Sequence, residues 1–440
     1  MPRVKSWTVV FAVLAVLAGA CTTSRGKSSS STTANSAGTA TGSQALGQGV
    51  TADTIKIGFS YIDLVALAKS GVIRLDHGPE EQIITALVND VNARGGVNGR
   101  KLQLFIAKYS PIGNTDQLAA CTKLTEDDKV FAVLVGFLNV NNLCVVQQHQ
   151  TILVGGNFNK GLLAQARAPW ATWNASDERS IDALVKLLDQ NGDLKGHTIA
   201  VYAAQAPYKA QIDLAVKTLK DAGYKVADTA LMDAPDTDLQ AATAQDKVIA
   251  QRFQSKGVDT VIDVGQFTPG ADFDAAGYHP RIFSPVVGNL QAAAYTNPLG
   301  KFPIVAGTGV PNQNYNFDDP AFAHCRQVWK QATGNEIVNP DQEDLSGKSS
   351  GFVAMEEACT SLTLFVDAAK AAGKDLNNET FAKGVESLGA VDLPAAPKSS
   401  FGPNKFDGQD QFQLFRIDPT WKQGSGKDQL IAIGSPITLK

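Results

Sequence analysis

The sequence predicts an α/β fold of two similar lobes, each a parallel sheet covered by helices on both faces. Three observations carry this. Short apolar strand patterns alternate with amphipathic helix patterns, the arrangement that gives covered parallel sheets. The alternation runs twice, with a break between Pro169 and Ser176. The 440 residues are 44% hydrophobic and 19% charged, enough for two or three domains of roughly 150 residues once a leader of about 50 is set aside.

The elements follow in order. Thr54–Phe59 is a β-branched strand, and Ile83, Ile84, Leu87, Val88 and Val91 form one helix face that stops at Gly95-Gly96. Lys101–Ala107 is a strand, Asp116–Leu124 a helix, and Val130–Val135 and Thr151–Val154 are buried strands. Beyond the break, Ile181, Leu184, Val185 and Leu188 mark a helix and Thr198–Tyr202 a strand. A helix through Ile212, Ala215 and Leu219 ends at Gly223. Then come strand Val226–Leu231, a helix near Lys247–Gln254, and strands Val258–Val264 and Arg281–Val287. The last quarter breaks the rhythm, with a long helix Val353–Ala372 and strands Gln411–Ile417 and Leu430–Ile433.

The N-terminus reads as an address. Arg3 and Lys5 precede the uncharged run Trp7–Leu17, which is too short to span a bilayer as a mature helix. Ala18-Gly19-Ala20-Cys21 resembles a bacterial lipobox, which implies cleavage after residue 20 and a lipid on Cys21. Thr22–Gly49 is Ser/Thr/Gly/Ala-rich, so 21–52 is expected to be a lipidated, flexible tether. The expected location is the outer face of the cell membrane, held by lipid without a transmembrane helix.

Composition excludes several classes. A net charge of −4 suits nucleic acid poorly. Five histidines and three methionines argue against a metal- or haem-rich protein. Four cysteines remain beyond the leader, at 121, 144, 325 and 359, and allow three pairings. Cys121 with Cys144 and Cys325 with Cys359 are expected, because each pair is close in sequence and within one unit. No Cys-x-x-Cys argues for zinc.

Enzyme motifs fail on context. Gly347-Lys348-Ser349-Ser350-Gly351 matches G-x-S-x-G, but polar Asn339–Ser346 is no strand to launch a nucleophile elbow. The upstream glycine of a P-loop is Gln342, and no G-x-G-x-x-G follows a strand. Asp272, Asp274 and His279 are weak evidence for a metal. Trp170 and Trp173 read as packing residues. No cofactor, metal or catalytic residue is expected.

Asn92-Ala93-Arg94-Gly95-Gly96-Val97-Asn98-Gly99-Arg100-Lys101-Leu102 and the tail Phe401-Gly402-Pro403-Asn404-Lys405-Phe406-Asp407-Gly408 resemble the type I periplasmic binding proteins. More narrowly they resemble the branched-chain amino-acid receptors of ABC importers. The resemblance implies Rossmann-like lobes joined by a three-crossover hinge, about 53–174 plus 291–393 and 175–290 plus 394–440. It implies a solute bound in the cleft at the carboxyl ends of the strands, lobe closure, and delivery by a monomer to a permease and its ATPase. An extracytoplasmic sensor on the same fold is the alternative.

Carried over residue by residue, the resemblance points to Ser60, Tyr61 and Asp63 after the first strand, and to Asn139 and Asn141 after Val130–Val135. It adds Asn157, Phe158 and Asn159 after Thr151–Val154, then Tyr208 and Gln266 in the second lobe. Amides, hydroxyls and aromatic rings suit a small organic solute of amino-acid, amide or carboxylate type. Asparagine after a strand also serves as a turn or cap residue. Asparagines stand where the amino-acid receptors use Ser/Thr-rich loops. No acid follows Arg281–Val287, where the family places a carboxylate for the ligand ammonium. A ligand other than a plain α-amino acid is therefore expected, unless Asp63 supplies the charge.

Overall fold

The computed structural model describes residues 45–64, 78–204, 208–235, 238–265, 268–296, 299–311, 317–339, 351–421 and 428–440. Cys21 with its leader, Gln266 and most of the G-x-S-x-G stretch lie outside the described residues. Among the described residues no helix is long and apolar enough to cross a membrane.

The first sheet has five parallel strands in the order β2-β1-β3-β4-β5. They are β1 (Thr54–Ile62), β2 (Lys101–Tyr109), β3 (Ala132–Val135), β4 (Ile152–Gly155) and β5 (Trp170–Ala171). Their alternation feeds two cores. Ile55, Ile57, Phe59, Ala132, Leu134, Ile152 and Val154 face the helices α1 (Glu80–Ala93) and α10 (Phe352–Ala372). Val133 and Leu153 face the opposite cluster with Cys121, Leu124 and Trp170. Period-two side-chain direction makes one strand serve both faces.

The second sheet has seven strands in the order β14-β13-β10-β9-β8-β6-β7. It contains β6 (Ile199–Ala204), β7 (Val226–Met232), β8 (Thr260–Asp263), β9 (Arg281–Ser284), β10 (Val305–Gly309), β13 (Gln411–Ile417) and β14 (Leu430–Thr438). Ala200, Tyr202 and Val261 enter one core, and Val201, Ala203 and Ile262 the other. The last two strands are antiparallel additions. A ribbon of β11 (Gly389–Leu393) and β12 (Ala396–Phe401) packs on the first core.

The second and third crossings fall later in the chain than the sequence places them. β10 lies beyond residue 290 yet pairs with β9 in the second sheet. Leu393, Ala396 and Phe401 still belong to the first core. Strand β9 is also shorter than expected, because Pro285 has no N–H for the ladder; the next residues turn into the helix α8 (Val287–Thr296). The helix expected near Lys247–Gln254 is the longer α6 (Leu239–Ser255), capped by Asp238.

The family-like motifs are structural knots. The Gly96 N–H donates to Val91 O at 2.9 Å to end α1, with φ at +72°. A Cβ there would meet the Arg100 carbonyl. The Asn98 amide donates to the Ala369 and Gly373 carbonyls at 3.1 and 2.9 Å, closing the far end of α10. In the tail, Thr172 and Asp407 run side by side: the Thr172 N–H donates to Phe406 O at 2.9 Å and the Gly408 N–H to Thr172 O at 2.8 Å. Two of the crossings between lobes thus form one hydrogen-bonded pair.

A buried ion network holds this pair. Arg179 donates to Asp407 and Asp410, both at 2.8 Å, and Lys405 lies 3.1 Å from Asp410. Burial alone would raise the Asp407 carboxyl, but the Arg179 guanidinium and the Ser176 N–H hold it below the usual range. Cys121 meets Cys144, with Cα atoms 6.4 Å apart, and Cys325 on α9 (Pro320–Thr333) meets Cys359 on α10, at 6.3 Å. Both distances suit a disulfide.

Candidate functional site

The carboxyl ends of the strands carry the loops where the resemblance places the cleft. After β3 the chain turns sharply. Val135, Gly136 and Asn139 all have positive φ, at +71°, +91° and +53°. Asn142 holds this turn, accepting from Phe137 N at 2.7 Å and donating back to Phe137 O at 2.9 Å. Its buried side chain fills the space over Gly156, where a Cβ would come within 2.6 Å of the amide nitrogen. The Gly156 N–H donates to Val135 O at 2.7 Å, so the turns after β3 and β4 are locked together.

The expected site residues divide into those that build this frame and those that border the cleft. Ser60 is buried and donates to Gly136 O at 2.6 Å, tying β1 to the turn after β3. Asn141 donates to Asn114 Oδ1 at 2.9 Å. Phe158 belongs to the core: its ring meets Trp170 edge-on at 5.2 Å instead of standing open in the loop as the sequence suggested. The residue follows Gly-Gly-Asn, which reads as a loop, but Trp170 and Leu153 draw its ring inward. Asp63 pairs with Lys108 at 3.1 Å, so its charge is offset within the first lobe. Tyr61 donates to Glu81 at 2.8 Å, and burial followed by that carboxylate holds its phenol well above the ordinary range.

Asn139 and Asn159 reach residues of the second lobe, and Asn157 reaches Asn174 at the first crossing. Tyr208, which precedes α5 (Lys209–Asp221), donates to Asn139 Oδ1 at 2.5 Å. This bond connects the loop after β3 to the segment after β6. Burial, followed by the nearby Asp177 and Asp263 carboxylates, keeps the Tyr208 phenol protonated far above its usual range. Asn157 is exposed and accepts from Asn174 at 3.0 Å. Asn159 caps the short helix α3 (Lys160–Leu163) through Leu162 N at 2.9 Å and donates to Asp177 at 3.3 Å.

Asp177 was missed by sequence reasoning. It opens α4 (Asp177–Gln190), where Ser-Asp-Glu reads as an ordinary acidic helix start. In the fold its carboxylate accepts from Asn159 and from Gln211 Nε2, the latter at 2.8 Å. Burial raises its carboxyl to about 6, against the lowering effect of those two amides. Asp274, weighed as a metal ligand, instead pairs with His279 at 2.7 Å and Lys301 at 2.9 Å.

Comparison with known proteins agrees with this architecture. Residues 54–425 match the model of a family described as periplasmic binding protein. No curated protein matches the chain. Among solved structures, an ABC transporter substrate-binding protein from Desulfitobacterium hafniense in complex with Leu is 15% identical, covering 87% of this chain and 100% of its own, with a TM-score of 0.57. A solute-binding protein from R. palustris in complex with 4-hydroxybenzoate is 18% identical over 88% and 97%, with a TM-score of 0.60. A fatty acid ABC transporter substrate-binding protein from Thermomonospora curvata is 16% identical over 90% and 95%, with a TM-score of 0.61. At these identities the structures speak for the fold, while the family model spans most of the sequence: the chain belongs to the periplasmic binding protein family.

Proposed function

We propose that the protein captures a small organic solute of amino-acid, amide or carboxylate type between its lobes and delivers it to an ABC importer. The observation that carries this reading is the meeting of strand-end loops from two separate sheets, with Tyr208 reaching Asn139. Open α/β sheets bind ligands at that end. The three similar structures named above have unlike ligands in their descriptions, which fits a scaffold whose side chains choose the solute. Solute binding favours the closed lobe arrangement, and the closed form docks on a permease. The protein performs no chemistry, works as a monomer outside the cytoplasm, and is held at the membrane by a lipid on Cys21. Its four paired cysteines suit that oxidising location.

Thermal unfolding against a solute panel tests the binding role. A cleft ligand at 100 times its Kd adds about 2.7 kcal/mol, a shift of several degrees. Uptake of that solute by cells lacking the protein then separates transport from sensing, since a sensor's loss leaves uptake unchanged. Cys21→Ser releases the protein from the membrane fraction if the anchor is correct; retention counts against it.

A further inference from the structure

Where Asp177, Glu178 and Gln211 meet beside Tyr208, two buried side-chain oxygens lack a donor. Gln211 is only 9% exposed, and its Nε2 donates to Asp177 Oδ2. Its Oε1 is buried without a hydrogen-bond partner among the described residues. Glu178 accepts from the Lys160 N–H at 2.9 Å through Oε1, while its Oε2 is likewise buried and unfilled. Asn159 and Gln211 both direct their donors to the same oxygen of Asp177.

Lys209 is held by Asp213, and Arg179 is turned to Asp407 and Asp410 through its two terminal nitrogens, with its Nε buried and without a partner among the described residues. A buried acceptor without a donor costs about 1–3 kcal/mol, and more if charged. Two such oxygens beside a buried carboxyl call for hydrogen-bond donors from outside the chain. A solute carboxylate or phosphate placed there meets like charge at Asp177 and Glu178.

We propose that this hinge-side end of the cleft takes the nitrogen end of the solute, a protonated amine or a primary amide that donates to Gln211 Oε1 and to the Asp177–Glu178 pair. The proposal rests on the solute-binding reading and deepens it. It supplies from the start of α4 the counter-charge that is missing after β9, and it narrows the solute to nitrogen-bearing compounds, α-amino acids included.

The test uses the full chain in detergent micelles and sets of solutes that share a skeleton: benzylamine, benzamide and benzoate, and isoamylamine, leucinamide, leucine and isocaproate. Thermal shift and titration calorimetry are read for each. Members carrying an amine or amide nitrogen are expected to raise Tm by several degrees, with the nitrogen-free acids inert. Asp177→Asn is expected to weaken the amine at least tenfold and the matched amide less. Gln211→Met, close in shape but without the buried oxygen or the donor to Asp177, is expected to weaken both, with a cooperative ligand-free melt showing that the variant is folded. Binding of the acids alone, or wild-type amine affinity in both variants, overturns this proposal and leaves solute binding standing. Silence of every member overturns both.

Discussion

The Tyr208 phenol donates to Asn139 Oδ1 at 2.5 Å, joining a residue that follows β6 of the second sheet to one that follows β3 of the first. Asn139 presents that oxygen from a left-handed backbone, φ +53°, a conformation asparagine adopts more readily than most residues. The bond reports a near approach of the lobes. Tyr208→Phe removes it and keeps the ring; Tyr208→Ala removes both. Tyr208→Ala is expected to weaken solute binding at least tenfold, about 1.4 kcal/mol, and Tyr208→Phe by a smaller factor. Calorimetry on the solute found in the thermal panel checks the order of the two effects.

The hinge network gives a stability prediction. Arg179→Met keeps the length of the side chain and removes its charge, leaving Asp407 and Asp410 with Lys405 as the remaining cationic partner. Breaking a buried pair from one side costs about 3–5 kcal/mol. The variant is expected to melt several degrees lower, and the deficit to be larger above neutral pH than at strongly acidic pH, where the Asp407 carboxyl, held below its usual range, takes up its proton. Scanning calorimetry at the two pH values checks this.

Asp246 gives the opposite pH dependence. It accepts from the Tyr202 phenol at 2.9 Å within the second lobe. Burial, with the neighbouring Asp272, raises its carboxyl to about 7. Unfolded, it titrates near 3.9. Between those values the folded state holds the proton that the unfolded state releases, so stability falls as pH rises from about 4 to about 7. Asp177, raised to about 6, adds to the same trend over a narrower window. Asp246→Asn removes the titration. It is expected to be more stable than the parent at pH 8, on the order of 2–4 kcal/mol, and to differ little at pH 4. Urea unfolding across this range measures it.

The cysteine pairs are read by non-reducing peptide mapping, with 121–144 and 325–359 as the expected linkages. Cys325→Ala with Cys359→Ala removes the tie between α9 and α10 and is expected to cost about 2–4 kcal/mol. A map showing crossed linkages, or free thiols throughout, refutes the pairing.

What could be read from the sequence was what depends on neighbours in the chain. The stripe Ile83–Val91 announces α1 because its spacing matches one helix face, and Gly96 announces the end because its φ is left-handed. The Asn98-Gly99 turn was legible as a turn, but its tie to Gly373 spans most of the chain and leaves no local mark. Strand β10, Val-Ala-Gly-Thr-Gly, is too short and glycine-rich to signal its place, so the second crossing was set too early. The surroundings of Phe158 and Asp177 were illegible for the same reason: the apolar ring turns to the core and the acid lies against buried amides, and both outcomes depend on residues of distant elements.

The pairing of Thr172 with Asp407 bears on how the lobes move. Two crossings bonded along their length act as a two-ply leaf spring. Flexing across the plies bends both together and keeps the Thr172–Phe406 and Gly408–Thr172 bonds. Twisting, or sliding one ply past the other, breaks them. Bending at this pair is thereby easier than twisting or shear. If a solute is held between the lobes as proposed, it has less sideways freedom of the halves to arrest, and its association loses correspondingly less entropy.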